Sequence, residues 1–232
     1  MFPSINSLWA FVGGVVPAIF WLWFWLHEDK KHPEPKMRIF ASFALGMAAI
    51  FIAIEVERYF YNLSGKAITI WLILIWAATE EIVKFGAAYF GGLRYRTADE
   101  PVDFLIYMVS AALGFSAIEN SLFLGNMISS GLLAQTVVSG QLRFLGATLL
   151  HIVSSASIGA FLALSFYKTK EVRRLSLVFG ILLSIALHTI FNFFIMHYNQ
   201  RVFFIFMGVW VVALGMIFMF EKIKQVRPST ND

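Results

Sequence analysis

The 232-residue chain contains no cysteine, which excludes a disulfide framework, a thiol nucleophile and any metal site built on thiolates. Charged residues are also scarce, at 14%, whereas hydrophobic residues make up 59%. This balance is typical of polytopic membrane proteins and leaves no room for a separate soluble domain. The formal net charge of +4 is best explained by basic loops, so we expect no nucleic-acid partner.

Aspartate is nearly absent as well. The chain has only Asp29, Asp99, Asp103 and Asp232, and each lies in a predicted loop, in a tail or at the edge of an apolar segment. Intramembrane aspartyl catalysis needs two buried aspartates, so the sequence disfavours that chemistry. The HExxH motif of many zinc proteases is missing too, so a zinc site would have to be assembled from separate helices.

Long apolar runs are what the chain does have. Because lipid offers no partner for backbone groups, each run predicts a helix. The first run lacks a basic leading segment, which favours a retained span over a cleaved signal peptide. The prediction is an all-α polytopic membrane protein, a single domain over 1–232 with about seven transmembrane helices: 8–26, 38–56, 67–90, 102–125, 143–167, 174–197 and 202–220.

The lysines and arginines predict how the chain crosses the membrane. Only Arg58, Lys66, Arg143 and Arg201 fall on one side and Lys84 lies within a span, so the remaining thirteen of the 18 fall on the other side. By the positive-inside rule, the N-terminus is outside and the C-terminus cytoplasmic. We therefore expect a multi-pass protein of the plasma membrane, with the lipid bilayer as its surroundings.

Three ionisable residues interrupt the third apolar run. Glu80, Glu81 and Lys84 lie within one and a half helical turns of each other in the segment 67–90. A charge near the bilayer centre costs at least ~2.5 kcal/mol. These side chains are therefore expected to face a protein interior or a wet cavity, where they bind an ion or perform chemistry.

Three further spans each carry polar residues at a similar depth. Several pairs are separated by four residues, so each pair lies on one helix face. At about 1.5 Å per residue, these residues fall in the predicted outer half of their spans, with Glu80 near the middle. The pattern predicts one interior site that opens outward, built from Glu119 with Asn120, His151 with Ser154 and Ser155, and His188 with Asn192.

This set of side chains suits hydrolysis. Glu80 beside Glu81 offers a carboxylate that can take a proton from water, and His188 with Asn192 offers donors for an oxyanion. Three carboxylates and one lysine also leave a net charge of −2 if both histidines are neutral. Either some carboxylates carry protons or a divalent cation is bound, so no metal is firmly expected. If zinc is present, its ligands would be Glu80, Glu119, His151 and His188.

The order of these motifs resembles the PrsW family of membrane-embedded proteases. That family belongs to a wider group with the CAAX-processing and bacteriocin-processing membrane endopeptidases. The resemblance is carried by Glu80-Glu81-x-x-Lys84, Phe115-x-x-x-Glu119-Asn120, His151-x-x-x-Ser155 and His188-x-x-x-Asn192. It is supported by the acidic, proline-containing segment 29–36 and by the segment 100–107 that leads into the second motif.

The resemblance implies an endopeptidase that cuts a membrane-anchored protein, such as the first, outer-side cut of an anti-sigma factor. It implies that Glu80 is the general base and Glu81 its partner, and that His188 and Asn192 form the oxyanion side. Glu119 and His151 would orient water or ligate zinc. Lys84 would tune the carboxylates, with Ser155 and Phe115 in supporting positions.

Two other classes of protein remain open from the sequence. One is a non-catalytic membrane scaffold with the same fold. The other is a proton-coupled transporter, in which buried Glu, Lys and His are equally natural. Against a transporter, the sequence shows no repeated halves, and its prolines lie outside the middle of the polar spans.

Overall fold

A computed structural model describes residues 5–28, 33–131, 142–198 and 202–228. This part of the chain contains seven α-helices and no strand, which confirms the all-α prediction. We number them in chain order: α1 Ile5–Glu28, α2 Lys36–Leu63, α3 Ile70–Ala88, α4 Pro101–Ser129, α5 Thr148–Leu164, α6 Lys170–His197 and α7 Val202–Ile223.

Six of the seven helices are long and apolar enough to cross a membrane, and α3 is the exception. Over its 19 residues α3 carries Glu80, Glu81 and Lys84, which lowers its apolar content. Glu81 and Lys84 are fully buried, so these charges face the protein and not lipid. A π-helical turn, Tyr89–Leu93, follows α3 and brings the helical segment close to the predicted end at residue 90.

The helix ends carry the expected capping chemistry. The hydroxyl of Thr69 accepts a hydrogen bond from Leu72 N at the start of α3, and Thr169 accepts one from Val172 N at the start of α6. At the start of α4, Glu100 and Asp103 form a capping box around Pro101, which occupies a position where its missing N–H costs nothing.

The second helix is longer than predicted. It ends at Leu63 and not near residue 56, which places Glu57 within the helix. Parts of the two longest predicted connections, residues 29–32 of 27–37 and residues 132–141 of 126–142, lie outside the described residues. No observation tests which side of the membrane each end faces, so that orientation stays a prediction.

Helix α4 forms the centre of the bundle. Every residue from 101 to 117 is buried, and α4 packs mainly against α1, α2 and α5. Small residues allow the close approach to α2: a side-chain carbon at Gly114 would overlap the carbonyl oxygen of Phe43, and one at Gly46 would overlap that of Ala111. Such backbone proximity is how helices gain contact in lipid, where no hydrophobic force drives them together.

We expect Gly114→Ala to destabilise the bundle by at least ~2 kcal/mol, because the new methyl group meets a backbone oxygen that cannot rotate away. Gly215→Ala, on α7, is the matched control, since nothing lies within 4 Å of its added carbon. The measurement is the thermal unfolding midpoint of each variant in detergent. Equal midpoints for the two variants would contradict the close α2–α4 packing.

Candidate active site

Glu81 of α3 is the acceptor for five side-chain donors. Each of its two oxygens is engaged, and its side chain is fully buried. The donors come from α3, α5 and α6, so this carboxylate ties three helices together. They are Lys84 Nζ at 2.5 Å, His188 Nδ1 at 2.7 Å and Ser154 Oγ at 2.9 Å on Oε1, and Ser155 Oγ and Ser184 Oγ, each at 2.8 Å, on Oε2.

The contact with Glu81 sets the tautomer of His188. A carboxylate that receives so many donors acts only as an acceptor, so we assign the proton of His188 to Nδ1. The other ring nitrogen, Nε2, then carries a lone pair and lies 3.7 Å from Glu80 Oε2. This is the arrangement in which a carboxylate orients a histidine for metal binding.

His151 lies between Lys84 and Glu119. Its Nδ1 is 3.1 Å from Lys84 Nζ, which has only protons to offer, so Nδ1 is the acceptor nitrogen. Its Nε2 therefore carries the proton and lies 2.6 Å from Glu119 Oε2. The His151 and His188 rings meet edge to face, with centroids 5.2 Å apart. The acceptor nitrogens of the two imidazoles thus lie around the same point, and that of His151 is also within hydrogen-bond distance of Lys84 Nζ.

That point is occupied by one oxygen of Glu80. Its Oε2 is buried and makes no hydrogen bond within the described part of the chain. It lies 3.7 Å from His188 Nε2, 3.8 Å from His151 Nδ1 and 3.9 Å from Lys84 Nζ. Glu80 and Glu81 are therefore neighbours in sequence with opposite roles: Glu81 is saturated with donors, whereas Glu80 has an oxygen free to bind something else.

The unpartnered oxygen allows a test of whether a metal ion fits. Glu80, His151 and His188 each offer one ligand atom, and these atoms lie within 4.8 Å of one another. Ligands around a tetrahedral zinc ion, at about 2.0–2.1 Å from it, are about 3.4 Å apart, so the group needs only a small contraction. Lys84 Nζ contacts two of these atoms already, which shows that a positive charge is accommodated here. The donor set fits a zinc-like cation.

The structure brings together the residues singled out from the sequence except Asn120 and Asn192. The hydrogen bonds described for Asn120 go to the hydroxyls of Ser116 and Thr148. Glu80, Glu81, Lys84, Glu119, His151 and His188 form one cluster, which we call the α3 cluster. Ser155 binds Glu81, and the buried Phe115 ring lies 5.1 Å from Lys84 Nζ and 5.7 Å from the His151 ring. Asn192 is half-buried one turn beyond His188, and the hydrogen bonds and ion pairs described for the cluster do not include it. Glu119 contacts His151, but it is not one of the three residues whose ligand atoms lie close together.

Sequence reasoning missed two members of this site. One is Ser184, which donates to Glu81. Its position four residues before His188 puts it on the same face of α6, and that spacing is the signal that could have identified it. The other, Glu57, lies just beyond residue 56, the predicted end of the second span, and was not expected to reach the site. Its Oε1 is buried without a hydrogen-bond partner in the described residues, and its carboxyl group interacts electrostatically with Glu119 and Lys84. The neighbouring Glu55–Arg58 pair is exposed.

An apolar groove lies beside the cluster, between α5, α6 and α7. Its volume is about 560 Å³, and two of its lining residues, Leu150 and Leu187, directly precede His151 and His188 in sequence. We call it the α5–α7 groove. Other residues along its walls are Val153, Phe191, Gly208 and Val212.

We expect Glu81→Gln to destabilise the protein by ~3–5 kcal/mol, because it leaves the buried Lys84 ammonium without its charge partner. Glu80→Gln is the matched control one residue away, and it should cost little, since it removes a charge that has an unpartnered oxygen. Thermal unfolding midpoints in detergent give the comparison. The double variant Glu81→Gln, Lys84→Met should recover part of the loss, and equal midpoints for the two single variants would contradict the role of Glu81.

Comparison with known proteins identifies the family of the chain. Residues 34–220 match the family described as "PrsW family intramembrane metalloprotease". The chain is similar to the Protease PrsW of Geobacillus kaustophilus, with 26% identity over 218 residues that cover 92% of this chain and 90% of the relative. It is also similar to the Protease PrsW of Clostridioides difficile, with 26% identity over 89% and 87% of the two chains.

A third relative, the Protease PrsW of Halalkalibacterium halodurans, is 24% identical over 86% of this chain and 91% of its own. No solved structure matches this chain. The family match covers every residue of the α3 cluster. It includes helices α2 to α6 completely and α7 up to residue 220. The resemblance predicted from four short motifs is thus confirmed over nearly the full chain, and the protein belongs to the PrsW family as a multi-pass membrane protease.

Proposed function

We propose that this protease hydrolyses its substrate with a divalent metal ion, most simply zinc, held by Glu80, His151 and His188. The observation that supports the proposal is the buried, unpartnered oxygen of Glu80, which faces an acceptor nitrogen on each histidine. When bound there, such an ion would activate water and polarise the scissile carbonyl. The description of the family as metalloproteases favours the same assignment.

The remaining residues of the α3 cluster hold and exchange protons around this group. Glu81 keeps the His188 proton on Nδ1, and Ser154, Ser155 and Ser184 fix Glu81 in turn. Glu119 differs from the other carboxylates because its side chain is 31% exposed. We assign to Glu119 the proton exchange with water, since it borders solvent and contacts the Nε2 of His151.

One observation favours a second mechanism without metal. Lys84 Nζ lies 3.1 Å from His151 Nδ1, where it competes with a metal ion for that lone pair. If the ammonium keeps this position, Glu80 itself is the general base, with its free oxygen directed at a water molecule. Both mechanisms require Glu80, and metal content distinguishes them.

The α3 cluster lies deep in the bundle. Glu80 is ten residues from the start of α3 and Glu119 ten residues from the end of α4, about 15 Å in each case from ends that are predicted to face outside. Because this is about half the thickness of the hydrocarbon core, the resemblance and not the depth favours the outer side. On that basis we propose an outer-side cut in a membrane-anchored protein such as a single-span anti-sigma factor. The α5–α7 groove offers an apolar approach for such a segment.

We expect about one metal ion per chain in protein purified through a tag without histidine, measured by plasma mass spectrometry. Glu80→Gln and His188→Ala should lose the ion and lower cleavage at least ~100-fold, since both remove a group at the reacting centre. His197→Ala, an exposed histidine nine residues further along α6, is the matched control and should keep both. A metal-free wild type that cleaves, with Glu80→Gln inactive, would overturn the metal assignment and support the glutamate mechanism.

We expect Gly208→Leu to slow cleavage of a single-span test protein that the wild type cuts on co-expression, because the leucine side chain fills the α5–α7 groove. Gly215→Leu is the matched control on the same helix. An added carbon meets nothing within 4 Å at either position, but only Gly208 lines the groove. Equal cleavage by the two variants would show that the substrate enters elsewhere.

A further inference from the structure

A second group of carboxylates lies at the opposite end of α4 from the α3 cluster. Glu34 precedes α2, Asp99 lies in the connection after α3, and Asp103 is in the first turn of α4. One oxygen from each lies within 4.8 Å of the other two. We call this group the acidic cluster. It joins the two supporting segments of the family resemblance, 29–36 and 100–107, which are far apart in sequence.

Two of these carboxylates are removed from solvent. Asp103 is 1% exposed and Glu34 is 7% exposed, whereas Asp99 is at the surface. The hydroxyl of Tyr107 donates to Glu34 Oε2, and the backbone N–H of Glu100 donates to Asp103 Oδ2 at 2.6 Å. These donors hold the carboxylates in place.

The other oxygen of Asp103 points to a missing ligand. Oδ1 is buried and has no hydrogen-bond partner in the described residues. It interacts with the Glu34 carboxyl group, and two neighbouring carboxylates are stabilised either by a proton that they share or by a cation between them. The N-terminal end of α4 stabilises negative charge on Asp103 when this group is ionised. A cation between the carboxylates satisfies this arrangement.

We propose that the acidic cluster binds a hard divalent cation, magnesium or calcium. The ligands available are oxygens only, from three carboxylates and backbone or water, which is the chemistry these two ions prefer and zinc does not. The cation joins the segment before α2 to the start of α4 and to the connection after α3. It therefore stabilises one end of the bundle.

This site is separate from the proposed protease chemistry. Asp103 and Glu119 are 16 residues apart on α4, about 24 Å along the helix. Occupancy of the acidic cluster is therefore expected to appear in stability, whatever ion the α3 cluster holds. Failure of either proposal leaves the other unaffected.

The test is the thermal unfolding midpoint of the full chain in detergent, after chelation and desalting, during titration with magnesium or calcium chloride at constant ionic strength. We expect a saturable rise of several degrees for the preferred ion, because a ligand that binds the folded state alone stabilises it. The cation whose effect saturates at the lower concentration is the one that the acidic cluster prefers. No rise with either ion would overturn the proposal.

Variants show where the ion binds. Asp103→Asn should abolish the rise. Asp99→Asn, at an exposed position that tolerates change, should increase at least several-fold the cation concentration that gives half of the rise. Glu80→Gln is the matched control from the α3 cluster and should keep the full response. A rise that is lost in Glu80→Gln and kept in Asp99→Asn would place the ion in the other site. A midpoint that rises on acidification and in Asp103→Asn, with no response to cations, would show a shared proton instead.

Discussion

The buried ion pair between Glu81 and Lys84 is the interaction on which the rest of the structure depends. A charge in the middle of a membrane-spanning bundle is tolerated only when it is paired and hydrogen-bonded. Here the pair lies within one turn of α3, and four further donors from α5 and α6 complete the carboxylate. Helix α3 is thereby fixed against two neighbours by polar contacts, although it is the one of the seven described helices that is not a candidate membrane span by length and composition.

This arrangement also explains how two adjacent glutamates come to differ. A polar network that is fully satisfied becomes rigid, and a rigid network can orient groups around it. Glu81 belongs to such a network and sets the direction of the His188 ring. Glu80, the preceding residue, has an oxygen outside this network that lies near both histidines. Stability and the proposed chemistry are thus assigned to neighbouring residues, and removing one should affect a different property from removing the other.

Much of this could be predicted from the sequence, for specific reasons. Apolar length predicted the helices, and four-residue spacing correctly assigned Glu80 with Lys84 and His151 with Ser155 to shared faces. Spacing did not predict how far each helix turns about its axis or which helices become neighbours. Asn192 shares a face with His188 yet is absent from the contacts described for the cluster, whereas Glu57 reaches the site because α2 continues about two turns beyond its expected end. The acidic cluster depends on two distant connections meeting at one end of α4, which local patterns do not encode.

The sequence distance between Glu81 and its donors has a consequence for biosynthesis. Ser184 and His188 follow Glu81 by 103 and 107 residues. At a synthesis rate of roughly 5–20 residues per second, the ribosome needs about 5–20 s to supply them. During that interval the α3 carboxylate has Lys84 beside it but lacks the donors of α6. Newly made α3 must therefore wait in the insertion machinery, at the membrane surface or against α2, and the active site is complete only after the sixth helix has entered.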